Sequence, residues 1–353
     1  EIPRVFDQLL ERSQASAAEG IRQPRFAYEF ALDEIARITT GNPFDDGQDS
    51  PLWADLQRKV NELQSNGELD EGRAAELLSE GRQVLAGPVA AAYNRVADWL
   101  RQDMASSTAE ARGVWDLPAG EDYYNYRLRL MTGLDLTADD IHNIGLSEVE
   151  RLTAEMEAIK RSVGFEGSLQ EFFVFMRQSD QFYFPNTDEG RQAYLDLAND
   201  YLSAMNDRLP EYFGRLPLAG LEVRRVEAFR EQDGAAQHYM AGSPDGSRPG
   251  AFYSHLSDMN AMPIYQLEDV AYHEGSPGHH MQISIQQELT DIPRFRTQSR
   301  NTAYTEGWGL YAEYLAKEMG FFEDPYSDFG RLTGEIWRAI RLVVDTGIHA
   351  KQW

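Results

Sequence analysis

The strongest constraint on this chain is a long helical period. From Thr137 to Gly164, Leu146, Val149, Met156, Ile159 and Val163 fall on one apolar face. Thr137 with Asp140 forms a capping box at the start, and Gly164 suits the C-terminal cap. A helix of this length must bury its apolar face against other elements. Its neighbours supply them: Ser168 and Glu171 form a second capping box opening "LQEFFVFMR". A further helix is expected over about 189–212, carrying Tyr194, Leu197, Tyr201, Met205 and Leu209. Residues 1–115 read as several amphipathic helices; Leu56, Val60 and Leu63 recur at helical spacing, and 41–51 is a loop.

The texture changes at Pro217. "LEVRRVEAF" (221–229) and "GAFYSHL" (250–256) have strand character, with the turn-rich "GSPDGSRPG" (242–250) between them. After Pro263 the helical pattern returns over about 266–289, 301–319 and 328–351. The expected fold is mainly α, a large helical domain with a small antiparallel β-sheet beside the helix at 266–289. An N-terminal helical region, 1–115, precedes the region 116–353 that carries the chemistry, in one continuous helical fold.

Composition narrows the chemistry. With 58 acidic and 33 basic residues the net charge is −25, which repels phosphate backbones, so nucleic acid is not an expected partner. There is no cysteine, so any metal must be held by His, Asp or Glu. No stretch approaches ~18 uninterrupted apolar residues, so no membrane span is expected. The chain starts at Glu1 without Met and ends just after an apolar helical pattern, which reads as a trimmed piece of a longer protein. Periplasmic, secreted and cytoplasmic locations are all compatible with that reading.

Five of the seven histidines lie between 255 and 349, and three lie in "HEGSPGHH" (273–280). A helical zinc site places two His at i and i+4 with a Glu between them as general base. His273 and Glu274 fit the first half, but position 277 is proline. On a straight helix His280 would lie ~10.5 Å along the axis from His273, too far to share an ion. Pro277 cannot continue the helix, however, and Gly275 and Gly278 allow unusual backbone angles. A break or bulge between Glu274 and His279 would return one histidine to His273; His279 is preferred and His280 is the alternate. A third ligand is available at Glu306, on the helix "NTAYTEGWGLYAEYLAKEMG" (301–320). On that helix Glu313 shares a face with Glu306, while Tyr304, Trp308, Tyr311 and Leu315 form a packing face. On the last helix, Arg338, Arg341, Asp345 and His349 form a polar stripe opposite Ile336, Trp337, Ile340, Val343 and Val344.

"HEGSPGHH" and "EGWGLYAE" (306–313) resemble the HEGxPGHH and EGWALYAE segments of a bacterial family known as domain of unknown function 885, with Gly309 in place of the usual Ala. "DDIHNIGLSEVERL" (139–152), "DGSRPGAFY" (245–253) and "RLVVDTGIHAK" (341–351) are also similar, so the resemblance covers about 120–353. That family looks like a distant branch of mainly helical, glutamate-liganded zinc peptidases. The resemblance implies that "RPGAFY" (248–253) pairs with extended peptide substrate.

The expected function is a zinc-dependent hydrolase, a metallopeptidase cleaving short peptides with metal-activated water. His273, His279 and Glu306 would hold Zn2+, with Glu274 as general base. His349 or Tyr253 would stabilise the oxyanion; Arg341, Arg248 and His280 would contact substrate. The rival readings are a zinc amidase or esterase on a non-peptide substrate and a catalytically inactive helical binding module.

Overall fold

The computed structural model describes residues 1–228 and 230–353, so the last residue of the expected strand 221–229 lies outside the described residues. The chain divides into two compact units, Glu1–Tyr124 with Ile348–Trp353, and Asn125–Gly347. The first unit holds α1 (Ile2–Ala18), α2 (Arg25–Thr39), α3 (Pro51–Ser65), α4 (Glu71–Val84) and α5 (Ala90–Met104). The side chains of Ser50 and Asp70 accept backbone N–H bonds at the starts of α3 and α4. Trp53 and Val60 are buried on α3, whereas Leu63, expected beside them, is exposed.

α6 (Gly120–Thr132) leads into the second unit, which continues with α7 (Ala138–Ser162), α8 (Leu169–Gln178) and α9 (Asp188–Tyr212). Both expected capping boxes are present, at Thr137–Asp140 and Ser168–Glu171. The buried face of α7 is set by Ile141, Gly145, Leu152 and Met156; Leu146, expected on that face, is 49% exposed. The reason is close approach: a Cβ at Gly145 would lie 3.0 Å from the Ala339 carbonyl, so a residue without a side chain marks the contact.

Three strands follow, β1 (Leu221–Arg225), β2 (His238–Met240) and β3 (Gly250–Ser254), in the order β1-β3-β2. The sheet is mixed, where an antiparallel one was expected. β1 pairs with β3 in parallel, Leu221 opposite Gly250, and β2 pairs with β3 antiparallel, His238 opposite Tyr253. The turn-rich 242–250 segment therefore closes a β2–β3 hairpin rather than joining β1 to β3. Parallel pairing needs a long connection, and the residues between Arg225 and Gly250, which include β2, provide it. β3 is the central strand, so the segment expected to pair with substrate has both edges filled.

The helices α10 (Leu267–Glu274), α11 (His279–Gln287), α12 (Arg294–Gln298), α13 (Thr302–Glu318) and α14 (Pro325–His349), the last as far as Gly347, complete the unit. α10 lies between two apolar clusters. Leu267 and Ala271 pack with Tyr194, Leu202 and Phe252, and Tyr272 packs with Met205, Met281 and Phe322. Every residue from Ala271 to Ser284 is buried.

Two expected helix faces are turned differently. On α13, Tyr304 and Tyr311 are exposed, and the buried side is Gly309, Ala312, Glu313 and Ala316. On α14, Trp337, Ile340 and Val344 are exposed, and Phe329, Gly330, Leu332, Ala339 and Thr346 are buried. Both helices meet their neighbours through small residues: a Cβ at Gly330 would fall 1.8 Å from the Tyr265 carbonyl.

Candidate metal centre

The helix does break where Pro277 demands it. α10 stops at Glu274, residues 275–278 form a turn with a cis Ser276–Pro277 peptide, and α11 starts at His279. The turn is held from within: Gly278 N–H bonds the Tyr272 carbonyl at 3.0 Å and His280 N–H bonds the Gly275 carbonyl at 3.1 Å. Only glycine fits at 278, because a Cβ there would fall 2.0 Å from the His273 carbonyl oxygen. It is also held from α13, whose Trp308 indole N–H donates to the Pro277 carbonyl at 2.8 Å.

This turn brings His279 back to His273. Their ring centroids are 4.5 Å apart, inclined at 78°. The Nε2 atoms of both lie 3.7 Å from Glu306 Oε2. Ligand atoms of His273, His279 and Glu306 all fall within 4.8 Å of one another, so the group could hold a metal ion. The donors fit one: ligands ~2.0–2.1 Å from a tetrahedral ion are roughly 3.4 Å apart. Two imidazoles and a carboxylate are also a set that zinc accepts.

Supporting contacts orient the group. His273 Nδ1 meets Glu313 Oε1 at 2.6 Å, which leaves Nε2 directed toward Glu306. Arg338 bonds the same Glu313 oxygen at 3.2 Å and approaches His273 Nδ1 at 3.3 Å. Gly309 lies against the back of the His273 ring, where a Cβ would be 2.6 Å from Cε1.

Charge is tightly coupled here. Burial disfavours charged His273, but Glu306 and Glu313 outweigh it and push its pKa up to about 10. His273, then His279, holds Glu306 far below the ordinary carboxylate range. Burial raises the Glu274 carboxyl, opposed by both imidazoles and by a hydrogen bond from the Tyr239 backbone. Burial also pushes Asp269 well above its usual value, and the Glu313 carboxylate adds to the rise. A cavity of about 400 Å³ opens onto His273 and Glu274, walled in part by Asp269, Glu313, Trp337 and Arg338.

Other residues singled out in the sequence lie elsewhere. His280 turns away from the ligand group; its Nδ1 meets the Tyr239 hydroxyl and its Nε2 the Ala219 carbonyl, both at 3.1 Å. Tyr253 stacks on His238 at 5.4 Å. Arg248 is exposed before β3, and Arg341 is exposed with its guanidinium 4.6 Å from the centre of the Trp337 ring. His349 belongs to the first unit, where its Nδ1 accepts the Val114 N–H at 3.0 Å. None of these five lines the cavity beside His273.

Sequence reasoning did not assign Asp269, Arg338 or Tyr239 to the site. Asp269 is four residues before His273 on one helix, a spacing that points to a shared face. Arg338 was visible only as part of the polar stripe on α14. Tyr239 had no signal, because its strand is three residues long.

A crystal structure named "putative lipoprotein from Colwellia psychrerythraea" shares the fold, with a TM-score of 0.93 at 30% sequence identity. The alignment covers 100% of this chain and 59% of that one, so the chain spans about three fifths of its relative. No curated protein matches the chain. The model of a family described as "Bacterial protein of unknown function (DUF885)" matches residues 1–353, and the chain belongs to that family.

Proposed function

We propose that this chain is a metal-dependent hydrolase, with zinc as its ion and short peptides as its substrates. One observation carries the reading: two imidazoles and a carboxylate converge within 4.8 Å, with Glu274 directly following the ligand His273. Two imidazoles and a carboxylate with no thiolate are a donor set that zinc takes in sites that also bind water. A cation held by His273, His279 and Glu306 supplies Lewis acidity and makes water nucleophilic near neutral pH.

The chain's own residues do the rest. Glu274 takes a proton from the attacking water and passes it to the leaving amine as the acyl–nitrogen bond breaks. It is buried and follows His273 directly in the chain, which places it beside the candidate ligands. Glu313 fixes the His273 ring, and Arg338 fixes Glu313. The adjoining cavity of about 400 Å³ is of a size that takes a small ligand. β2 is an edge strand of the sheet, and its Tyr239 backbone group meets Glu274. The pairing with extended substrate expected of 248–253 is therefore assigned to β2.

The test is a peptide-library assay on zinc-loaded wild type and Glu274→Gln. Cleavage by wild type, lost by about 10²-fold or more in a variant that keeps its metal, supports the reading. Zinc binding without cleavage of any peptide contradicts it.

A further inference from the structure

A second cavity, of about 470 Å³, is lined by residues next to two of the candidate ligands along their helices. Ile283, on its wall, is one helical turn beyond His279, and Thr305, also on its wall, immediately precedes Glu306. Its lining contains Arg294 and Arg300 and no carboxylate, in a chain with 58 acidic and 33 basic residues. Among the described residues neither Arg294, Arg300 nor the nearby Arg248 enters an ion pair. The remaining polar lining is Gln and Thr, which carry no charge.

The backbone of the segment that carries both arginines is anchored. The Gln286 side-chain amide donates to the Arg296 carbonyl at 2.8 Å and the Ser299 carbonyl at 3.0 Å, tying the 294–300 segment to α11. Burial raises the pKa of the Tyr239 phenol; the Ser284 hydroxyl and the Gly242 backbone oppose that rise, and the fields of Arg248 and Arg300 do so to a smaller extent. That hydroxyl touches His280, the neighbour of His279, and the Tyr239 backbone bonds Glu274. The two cavities differ in charge: the one beside Glu274 is walled by Asp269 and Glu313, with Arg338 already paired to Glu313.

We propose that the Arg294–Arg300 cavity is a carboxylate subsite, which selects short peptides bearing an acidic side chain or a free C-terminus. The assignment deepens the hydrolase reading and rests on it for the word substrate, but its binding arm does not require turnover. Guanidinium groups without a partner bind carboxylates through charge-assisted hydrogen bonds. An anion there would be drawn out of an otherwise repulsive, acidic surface field.

The experiment uses four probes with the full chain: Ala-Ala-Glu-Ala amide, Ala-Ala-Ala-Ala amide, Ala-Ala-Lys-Ala amide and Ala-Ala-Ala-Ala free acid. Binding is measured by calorimetry on zinc-loaded Glu274→Gln, and cleavage on wild type, each with and without Arg300→Glu. The acidic or the free-acid peptide should bind about tenfold or more tightly than the neutral amide, and whichever it is names the source of the carboxylate. Arg300→Glu should abolish that preference and favour the lysine peptide, with the fold checked by circular dichroism. Equal affinity for all four, no measurable affinity for any, or a preference untouched by Arg300→Glu overturns the subsite. If wild type cleaves no peptide of the library while the binding preference holds, the hydrolase reading fails and the carboxylate site stands.

Discussion

The Trp308 indole N–H donates to the carbonyl of Pro277 at 2.8 Å, so the helix that carries Glu306 also holds the turn that delivers His279. The bond joins two halves of one site across 31 residues of chain. Trp308→Phe keeps an aromatic, though smaller, side chain and removes the donor. Loss of one such bond costs about 1 kcal/mol of stability. Zinc affinity should fall along with it, because His279 begins the helix just after the turn. Chelator competition compares the two proteins; unchanged affinity would show that the turn holds its shape without α13.

Glycine substitutions on the two sides of the site should differ in sign. A Cβ at Gly278 meets the His273 carbonyl at 2.0 Å, whereas nothing lies within 4 Å of one at Gly307. Gly278→Ala is expected to destabilise the fold by about 2 kcal/mol or more through overpacking. Gly307→Ala, within α13, should stabilise it by roughly 0.5–1 kcal/mol. Thermal unfolding of the two variants checks the contrast.

His280 supplies a pH dependence. Burial lowers its pKa from 6.5 to about 4, against the raising effect of the Ala219 carbonyl. A histidine depressed in the folded state stays neutral there while the unfolded chain takes up a proton. Its contribution is therefore complete above pH 6.5, shrinks as pH falls toward 4, and changes no further below that. The loss is on the order of 3 kcal/mol. Denaturant unfolding at several pH values should show a fall through that window, and His280→Gln should flatten it relative to wild type.

Much of this centre was legible because its residues obey hard local rules. Pro277 and Gly278 forbid a straight helix, and the break they force is what lets His279 reach His273. The capping boxes at Thr137 and Ser168 were legible for the same reason, since each is a local hydrogen-bond pattern. What failed needed tertiary context. A helical wheel groups Arg338 with His349, yet eleven residues separate them by roughly 16.5 Å along the axis, so a shared face is not a shared site. Tyr304, Tyr311 and Trp337 looked like packing residues, but α13 and α14 approach their neighbours through Gly309 and Gly330 instead. β2 is too short to carry a period, and without it the sequence reads as a small antiparallel sheet built from 221–229 and 250–256.

Glu313 should behave as a positioning residue. It accepts from His273 Nδ1 at 2.6 Å and pairs with Arg338, without belonging to the three-residue ligand group. Glu313→Gln keeps an acceptor but removes the charge, and second-sphere changes of this kind typically cost 10–100-fold in metal affinity. A competition titration reads the loss, and Glu313→Asp should restore part of it if position as well as charge matters.

The most direct measurement is zinc stoichiometry of the full chain and three variants after equilibrium dialysis at neutral pH. The account predicts one ion per chain for wild type and for His280→Ala, and loss of that ion in His279→Ala and Glu306→Ala. A wild type that binds no metal would contradict it, as would a His279→Ala protein that keeps its ion while His280→Ala loses it.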